Sequence, residues 1–273
     1  MLARDKYRVC VDALKEYADN AGFTDVVIGL SGGMDSSLVA AMSVDAFGAD
    51  HVHGVLLPGP FSSASSVDDA LALAENLGIE TKTVSICQPY EAFEKAMAKA
   101  CGGDLSGTAA ENTQARCRMV VLMGISNTFN WMLVNTGNKS EAQMGYSTLY
   151  GDTAGAFAPI GGLYKSDVYA VAYACNDIFE AAGKTAPIPE NVFVKAPSAE
   201  LSAGQEDEKS LGVDYATLDK ALIALFEQGK DVAGACEASG LPESEVQRIK
   251  KTAEGYAFKR VMEPPFPATR FYD

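Results

Sequence analysis

The sequence predicts an α/β protein: a doubly wound parallel sheet with helices on both faces, followed by C-terminal helices. Three observations carry that expectation. Short apolar runs alternate with amphipathic helical patterns through the first two thirds of the 273 residues. Glycines and polar turns punctuate each change of pattern. Polar segments also follow three of the apolar runs, at the end of a strand where parallel sheets take their ligands.

The elements follow in order. An amphipathic helix runs to about Asn20 and leads into the strand DVVIGL (25–30). The loop SGGMDSS (31–37) opens a helix, SLVAAMSVDAFG, closed by Gly48. HVHGVLLP (51–58) alternates at period two and reads as a second strand. The helix VDDALALAENLG ends at Gly78, and TKTVSI (81–86) is a third strand. EAFEKAMAKAC is helical, GGDLSGTA a loop, residues 111–130 a long helix and WMLVNTG (131–137) a fourth strand. After a glycine-rich stretch, SDVYAVAYACNDIFEAAG is helical again. One domain therefore spans 1–273, with an α/β core over 1–190. Residues 195–210 lack periodicity and read as a mobile loop, and 211–273 hold helices and a proline-rich tail, with no internal repeat.

Bulk composition narrows the function classes. With 36 acidic against 22 basic side chains the net charge is −14, which repels nucleic-acid backbones and favours a small substrate. No apolar run is long enough to span a bilayer, and the charged N-terminal helix does not read as a signal peptide. Six cysteines without a CxxC pair suit reduced thiols, so a cytoplasmic location is expected. Two histidines, His51 and His53, on one strand read as packing residues, which leaves little for histidine acid–base catalysis. The helical pair around Gly240 has the outline of a helix-turn-helix, but Glu243 and Glu245 stand where bases would be read.

Chemistry concentrates at one sheet edge. Gly29, Leu30, Ser31, Gly32, Gly33, Met34, Asp35, Ser36 and Ser37 put glycines, hydroxyls and free amides at a helix N-terminus, an arrangement suited to phosphate. Neither GxxxxGK[ST] nor GxGxxG occurs there. Asp35 would repel phosphate directly, so it makes most sense as a Mg²⁺ ligand beside the phosphates. The plainer alternative is a strand–turn–helix with Asp35 or Ser36 as the cap. NTGNKSEAQMGYSTLYGD (135–152) supplies Thr136, Lys139 and Glu141, the last a second carboxylate for the metal. LPGPFSS (57–63) is the third polar segment at this edge. Arg116 and Arg118 lie two apart on the long helix and point to different faces, with solvated surface charge as the default for both. Lys165 opens the helix after PIGGLY, as a phosphate contact or an exposed lysine.

SGGMDSS resembles the SGGxDS pyrophosphate-binding loop of the adenine-nucleotide α-hydrolase, or N-type ATP pyrophosphatase, superfamily, whose fold is Rossmann-like. That motif leaves GMP synthetase, asparagine synthetase and tRNA-modifying enzymes open. NTGNKSEAQMGYSTLYGD, PIGGLYKSDV and KAPSAEL…GQEDE narrow it, since together they look like the NAD synthetase family, from about Asp25 to Lys259 and Arg260. The resemblance implies a cytoplasmic C–N ligase: ATP-dependent amidation of deamido-NAD through an adenylate, releasing AMP and pyrophosphate, with Mg²⁺ as cofactor. It implies Asp35 and Lys165 as catalytic residues. Gly29 to Ser37, Thr136, Lys165 and Ser198 would bind ATP or pyrophosphate, and Asp35 and Glu141 would hold the metal. Arg116, Asp152 and Lys259 would meet deamido-NAD, and the acidic stretch 206–208 belongs to a loop ordered over ATP. A homodimer is implied, with the dinucleotide near the subunit interface.

STLYGD and PSAELSAGQEDE look more like the synthetase half of the glutamine-dependent, two-domain enzymes than the short ammonia-dependent ones. In the short enzymes a lysine commonly stands where this chain has Leu149. The chain has no room for an N-terminal glutaminase domain, so it is expected to use free ammonia or to receive it from a separate glutaminase subunit. The alternatives are another superfamily ligase and a non-catalytic ATP-sensing module, which would need Asp35 and Glu141 together far less.

Overall fold

The computed structural model describes residues 1–272. Four parallel strands form one sheet: β1 (Val26–Gly29), β2 (Val52–Leu56), β3 (Glu80–Thr83) and β4 (Met132–Leu133), in the spatial order β3-β2-β1-β4. The register pairs Val26 with Val52 on one side and with Met132 on the other. Winding therefore proceeds outward from β1 to β3 and then returns to the far side of β1. The direction of winding therefore switches between the neighbours β1 and β4, and such a switch point opens a crevice beyond the strands' carboxyl ends.

Helices cover both faces, as the unbroken apolar run VVI requires. On one face α1 (Ala3–Ala21), α2 (Met34–Phe47) and α7 (Lys165–Ala181) bury Tyr7, Leu14, Leu38, Met42 and Val171 against Val26 and Ile28. On the other, α4 (Cys87–Cys101) and α5 (Gly107–Phe129) bury Tyr90 and Cys117 against Val27, Val55 and Leu133. Full burial of each β1 valine is worth about 1.5–3 kcal/mol, so a one-residue slip of the strand is strongly penalised. α3 (Ala64–Leu77) packs on α2, β2 and β3.

Short α6 (Lys139–Met144) follows β4 and is fixed by a capping box. Asn138 Oδ1 accepts from the Glu141 N–H at 3.1 Å, and Glu141 Oε2 accepts from the Asn138 N–H at 3.5 Å. Beyond α8 (Glu190–Val194) come α9 (Asp207–Leu211), α10 (Tyr215–Leu222), α11 (Val232–Ser239), α12 (Glu243–Gly255) and α13 (Ala257–Arg260). Leu211, Leu218, Leu222 and Ile249 join Met144 and Tyr164 in a second core, which ties these helices to α6 and α7.

Several boundaries differ from the sequence reading. α2 begins at Met34, so the polar loop is shorter and Asp35 and both following serines are helical. GGDLSGTA contributes its last residues to α5, which starts at Gly107. The fourth strand shrinks to Met132–Leu133, with Val134 making only an isolated bridge to Phe157. Within 195–210 a helical turn forms from Asp207.

Candidate active site

A cleft of ≈580 Å³ opens at the carboxyl edge of the sheet, over the switch point. The loop after β1, the segment after β2, the segment after β4 and residues 195–207 all line it. These are the three polar segments that the sequence places at this edge, joined by the irregular one.

The loop after β1 is built so that backbone reaches the ligand side. Gly32 has φ +74°, and a Cβ there would stand 2.0 Å from the Ser66 carbonyl oxygen of α3. Only glycine fits that approach. Gly33 is the N-cap of α2. Its carbonyl accepts from Ser37 Oγ at 2.8 Å and Ser36 Oγ at 3.2 Å, while Ser36 Oγ also lies 2.9 Å from Ser31 Oγ. Ser37 is fully buried and serves the loop's shape, whereas Ser31, Gly33, Met34, Asp35 and Ser36 line the cleft with Gly29 and Leu30.

A three-residue ionic centre forms the floor. Lys165, 3% exposed at the start of α7, pairs with Asp35, and its Nζ lies 3.5 Å from Glu141 Oε1. Asn138 Nδ2 donates to Asp35 Oδ1 at 3.0 Å, so one residue caps α6 and orients the carboxylate of α2. Burial draws the Lys165 ammonium down, but Asp35 and Glu141 outweigh it and hold the group above its ordinary value. Glu141 is pushed up by burial and by Asp35, with Lys165 opposing. Asp207 is raised chiefly by burial.

Residues 195–207 lie across the mouth of the cleft. Glu200 accepts from the Ser63 N–H at 3.1 Å, from Ser63 Oγ at 2.8 Å and from Ser66 Oγ at 2.7 Å, at the N-terminus of α3. Lys195 pairs with Asp69 at 3.0 Å, Gln114 Nε2 of α5 donates to the Leu201 carbonyl at 2.9 Å, and Gln205 Nε2 donates to the Tyr146 hydroxyl at 3.1 Å. The segment thus bridges both walls.

Thr136, Asp152 and Ser198 line the cleft as well. Ser198 Oγ donates to the Gln205 carbonyl at 2.6 Å, within the 195–207 segment. Arg116 and Lys259 stand outside the lining: Arg116 is exposed with Nε donating to the Leu149 carbonyl at 3.2 Å, and Lys259 Nζ donates to the Gly145 and Ser147 carbonyls at 2.7 and 2.6 Å. Lys139 turns away to pair with Glu227 at 2.7 Å. The sequence reading left Arg118 as a surface charge, yet it is half-buried, lines the cleft and donates through Nε to the Leu57 carbonyl at 3.1 Å. Tyr146, Glu200 and Glu263 also line the cleft without having been singled out. For Glu200 the available signal was its place inside PSAEL; Glu263, in the tail, had none.

Comparison with known proteins follows the same lines. The NAD synthase family model matches residues 6–263. The glutamine-dependent NAD(+) synthetase of Thermotoga maritima is 44% identical over 227 residues, which cover 83% of this chain and 38% of that protein. A solved NMN synthetase from Francisella tularensis superposes with a TM-score of 0.78 at 30% identity, covering 95% of this chain and 96% of the other. The NH3-dependent NAD synthetase from Campylobacter jejuni, in complex with nitrate, gives 0.73 at 30% identity with the same coverages. The chain spans 38% to 48% of the length of the curated glutamine-dependent relatives it matches.

Proposed function

This chain belongs to the NAD synthase family, and from that premise we propose that it amidates deamido-NAD to NAD⁺ at the expense of ATP, with ammonia as nitrogen donor. The observation that carries this reading is the convergence of the glycine loop, Asp35, Glu141 and Lys165 in one cleft at the switch point.

The chemistry follows from what these groups can do. A nicotinate oxygen attacks the α-phosphorus of ATP, the bond to the bridging oxygen breaks, and pyrophosphate leaves. Charge grows on that leaving group, and Lys165 with the amides at the start of α2 would offset it. The carboxylate is its own nucleophile, so no activated serine or cysteine is needed. Ammonia then attacks the acyl carbon, the C–O bond to AMP breaks, and one proton is lost as the amide forms. Holding both anionic substrates in one orientation supplies much of the acceleration.

Asp35 and Glu141 suit Mg²⁺. They are hard oxygen donors on one side of the cleft, and with Asp207 they outnumber the single buried ammonium facing them. Bound there, the ion would withdraw charge from the phosphates; among the described residues two protein carboxylates would hold it, with phosphate oxygens as further ligands. Gly29 to Ser36, Thr136 and Ser198 would take ATP, with Ser37 shaping the loop. Asp152, Arg116 and Lys259 would serve the dinucleotide. Arg116 and Lys259 stand beyond the cleft, which suits a dinucleotide extending toward a partner subunit in a homodimer. Residues 195–210 would open for ATP and close over it. Six free thiols among the described residues support a cytoplasmic setting.

Deamido-NAD, ATP, Mg²⁺ and ammonium incubated with the chain should give NAD⁺ and AMP, and glutamine alone should not. Robust turnover on glutamine alone would sink the ammonia reading. The likeness to an NMN synthetase favours one second reading, the mononucleotide of nicotinate as acceptor. Comparing kcat/KM for the two acceptors separates them.

A further inference from the structure

Three cations line the cleft: Arg118, Lys165 and Lys195. Two of them are already paired, Lys165 with Asp35 and Glu141 and Lys195 with Asp69. Arg118 forms no ion pair among the described residues; Glu200 and Asp152 act on it as charges from beyond ion-pair distance. Of the five N–H groups a guanidinium offers, only Nε has a protein acceptor among the described residues, the Leu57 carbonyl at 3.1 Å. A Cβ at Gly59 would stand 2.8 Å from Nη2, so the head occupies space that glycine leaves after β2. Its setting is therefore fixed by the fold, while its remaining donors are free. Burial draws the group below its ordinary value, with Glu200 the largest opposing charge, and a guanidinium stays charged regardless. A half-buried, unpaired cation in a cleft is costly unless an anion meets it.

We propose that Arg118 binds the α-phosphoryl group, first of ATP and then of the acyl adenylate, and so serves both half-reactions. The proposal rests on the amidation reading given above. In that reading the α2 amides and Lys165 take the pyrophosphate end, on the α2 and α7 face of the sheet. Arg118 comes from α5 on the opposite face and is anchored after β2, one strand along from the glycine loop. Neighbouring strands lie about 4.8 Å apart, a step that suits the phosphoryl group next to the departing pyrophosphate. The planar fork of donors matches two phosphoryl oxygens at once. In the first step the attacking carboxylate and the α-phosphoryl group are both anionic, and the guanidinium offsets their repulsion while the P–O bond to pyrophosphate breaks. In the second, ammonia attacks the acyl carbon and the C–O bond breaks with its electron pair going to AMP. The same guanidinium meets that new charge. A grip on the acceptor's carboxylate instead would tie up the oxygen that must attack.

Binding and turnover are read separately, on the full chain with Mg²⁺ present. Calorimetry with adenosine, AMP and inorganic pyrophosphate resolves which group Arg118 touches. In Arg118→Met the preference for AMP over adenosine should fall about thirtyfold, as for lost hydrogen bonds to a charged group, with pyrophosphate binding unchanged. Arg118→Lys keeps the charge and loses the fork, so the fall should be smaller, about fivefold. That variant remains informative if Arg118→Met folds poorly by circular dichroism. In both, kcat should drop for pyrophosphate exchange and for NAD⁺ formation, with the KM for deamido-NAD held within about twofold. Equal weakening of AMP and adenosine overturns the proposal, because it makes Arg118 structural. So does weakened pyrophosphate binding, or a change confined to the KM for deamido-NAD, which would put the guanidinium on the acceptor. A parent chain that prefers AMP through Arg118 yet forms no NAD⁺ would overturn the amidation reading and leave the phosphoryl site standing.

Discussion

Replacing Lys165 by methionine tests whether the ionic centre is held together as described. Methionine is close to lysine in length and leaves little cavity, so the perturbation is mainly the loss of one buried cation. The lysine side chain is 4% exposed, and Asp35 and Glu141 are 19% and 21% exposed. Removing one partner of a fully buried pair costs about 3–5 kcal/mol. The partial exposure of both anions puts this case near the lower end, about 3 kcal/mol, or roughly a hundredfold in the ratio of folded to unfolded chain. For a chain of this size that corresponds to roughly 6–10 °C in Tm. The loss should also depend on pH. Glu141 is held above its ordinary value even with Lys165 opposing, and the variant removes that opposition. A carboxylate raised in the folded state stabilises least at high pH, so the deficit should be largest at pH 8 and shrink as pH falls toward the unfolded carboxylate range. Urea unfolding of parent and variant at pH 5.5 and 8 reads both effects (about two experimental series). A variant within about 1 kcal/mol of the parent at both pH values would refute the reasoning.

Three further outcomes follow from the same geometry. Gly32→Ala combines a positive φ with a Cβ placed 2.0 Å from the α3 backbone, so it should lower stability by about 2–4 kcal/mol in denaturant unfolding and disturb ATP binding. Asp35→Ala should nearly abolish AMP and pyrophosphate release while leaving circular dichroism native-like, and unchanged turnover would count against the metal-binding role proposed for it. Burial and Asp152 push Glu263 up to about 7, so its ionisation opposes folding from the ordinary glutamate range upward. The Tm advantage of Glu263→Gln over the parent should therefore grow between pH 5 and 8 (about three units), and a difference independent of pH would contradict that assignment.

Much of the fold was legible because alternating pattern and glycine punctuation are local properties. The apolar run VVIG and the alternating VHGVL were enough to be placed as strands, and the polar segments after β1, β2 and β4 did meet at one edge. Rotational setting was not legible. Arg116 and Arg118 both sit on α5, and which one enters the cleft depends on Cys117 packing against the sheet, a tertiary contact. Pairings across the chain were hidden for the same reason. Lys139 stands in the right segment but is claimed by Glu227, and Glu200 is fixed by serines on α3 that lie far away in sequence. The acidic stretch 206–208 was placed in a loop over ATP by resemblance alone, because burial of Asp207 within a charged stretch leaves no mark on composition. Met34 packs in the main core while its edge lines the cleft, which accounts for an apolar residue inside a polar motif.

The central claim is that this cleft joins a carboxylate to the α-phosphate of ATP. Deamido-NAD carrying oxygen-18 in its nicotinate carboxylate tests it directly, with ATP, Mg²⁺ and ammonium present and the products read by mass spectrometry. The account predicts one labelled oxygen in AMP, with NAD⁺ and unlabelled pyrophosphate formed in equal amounts. Label in inorganic phosphate with ADP as the nucleotide product, or AMP released without label, would contradict it.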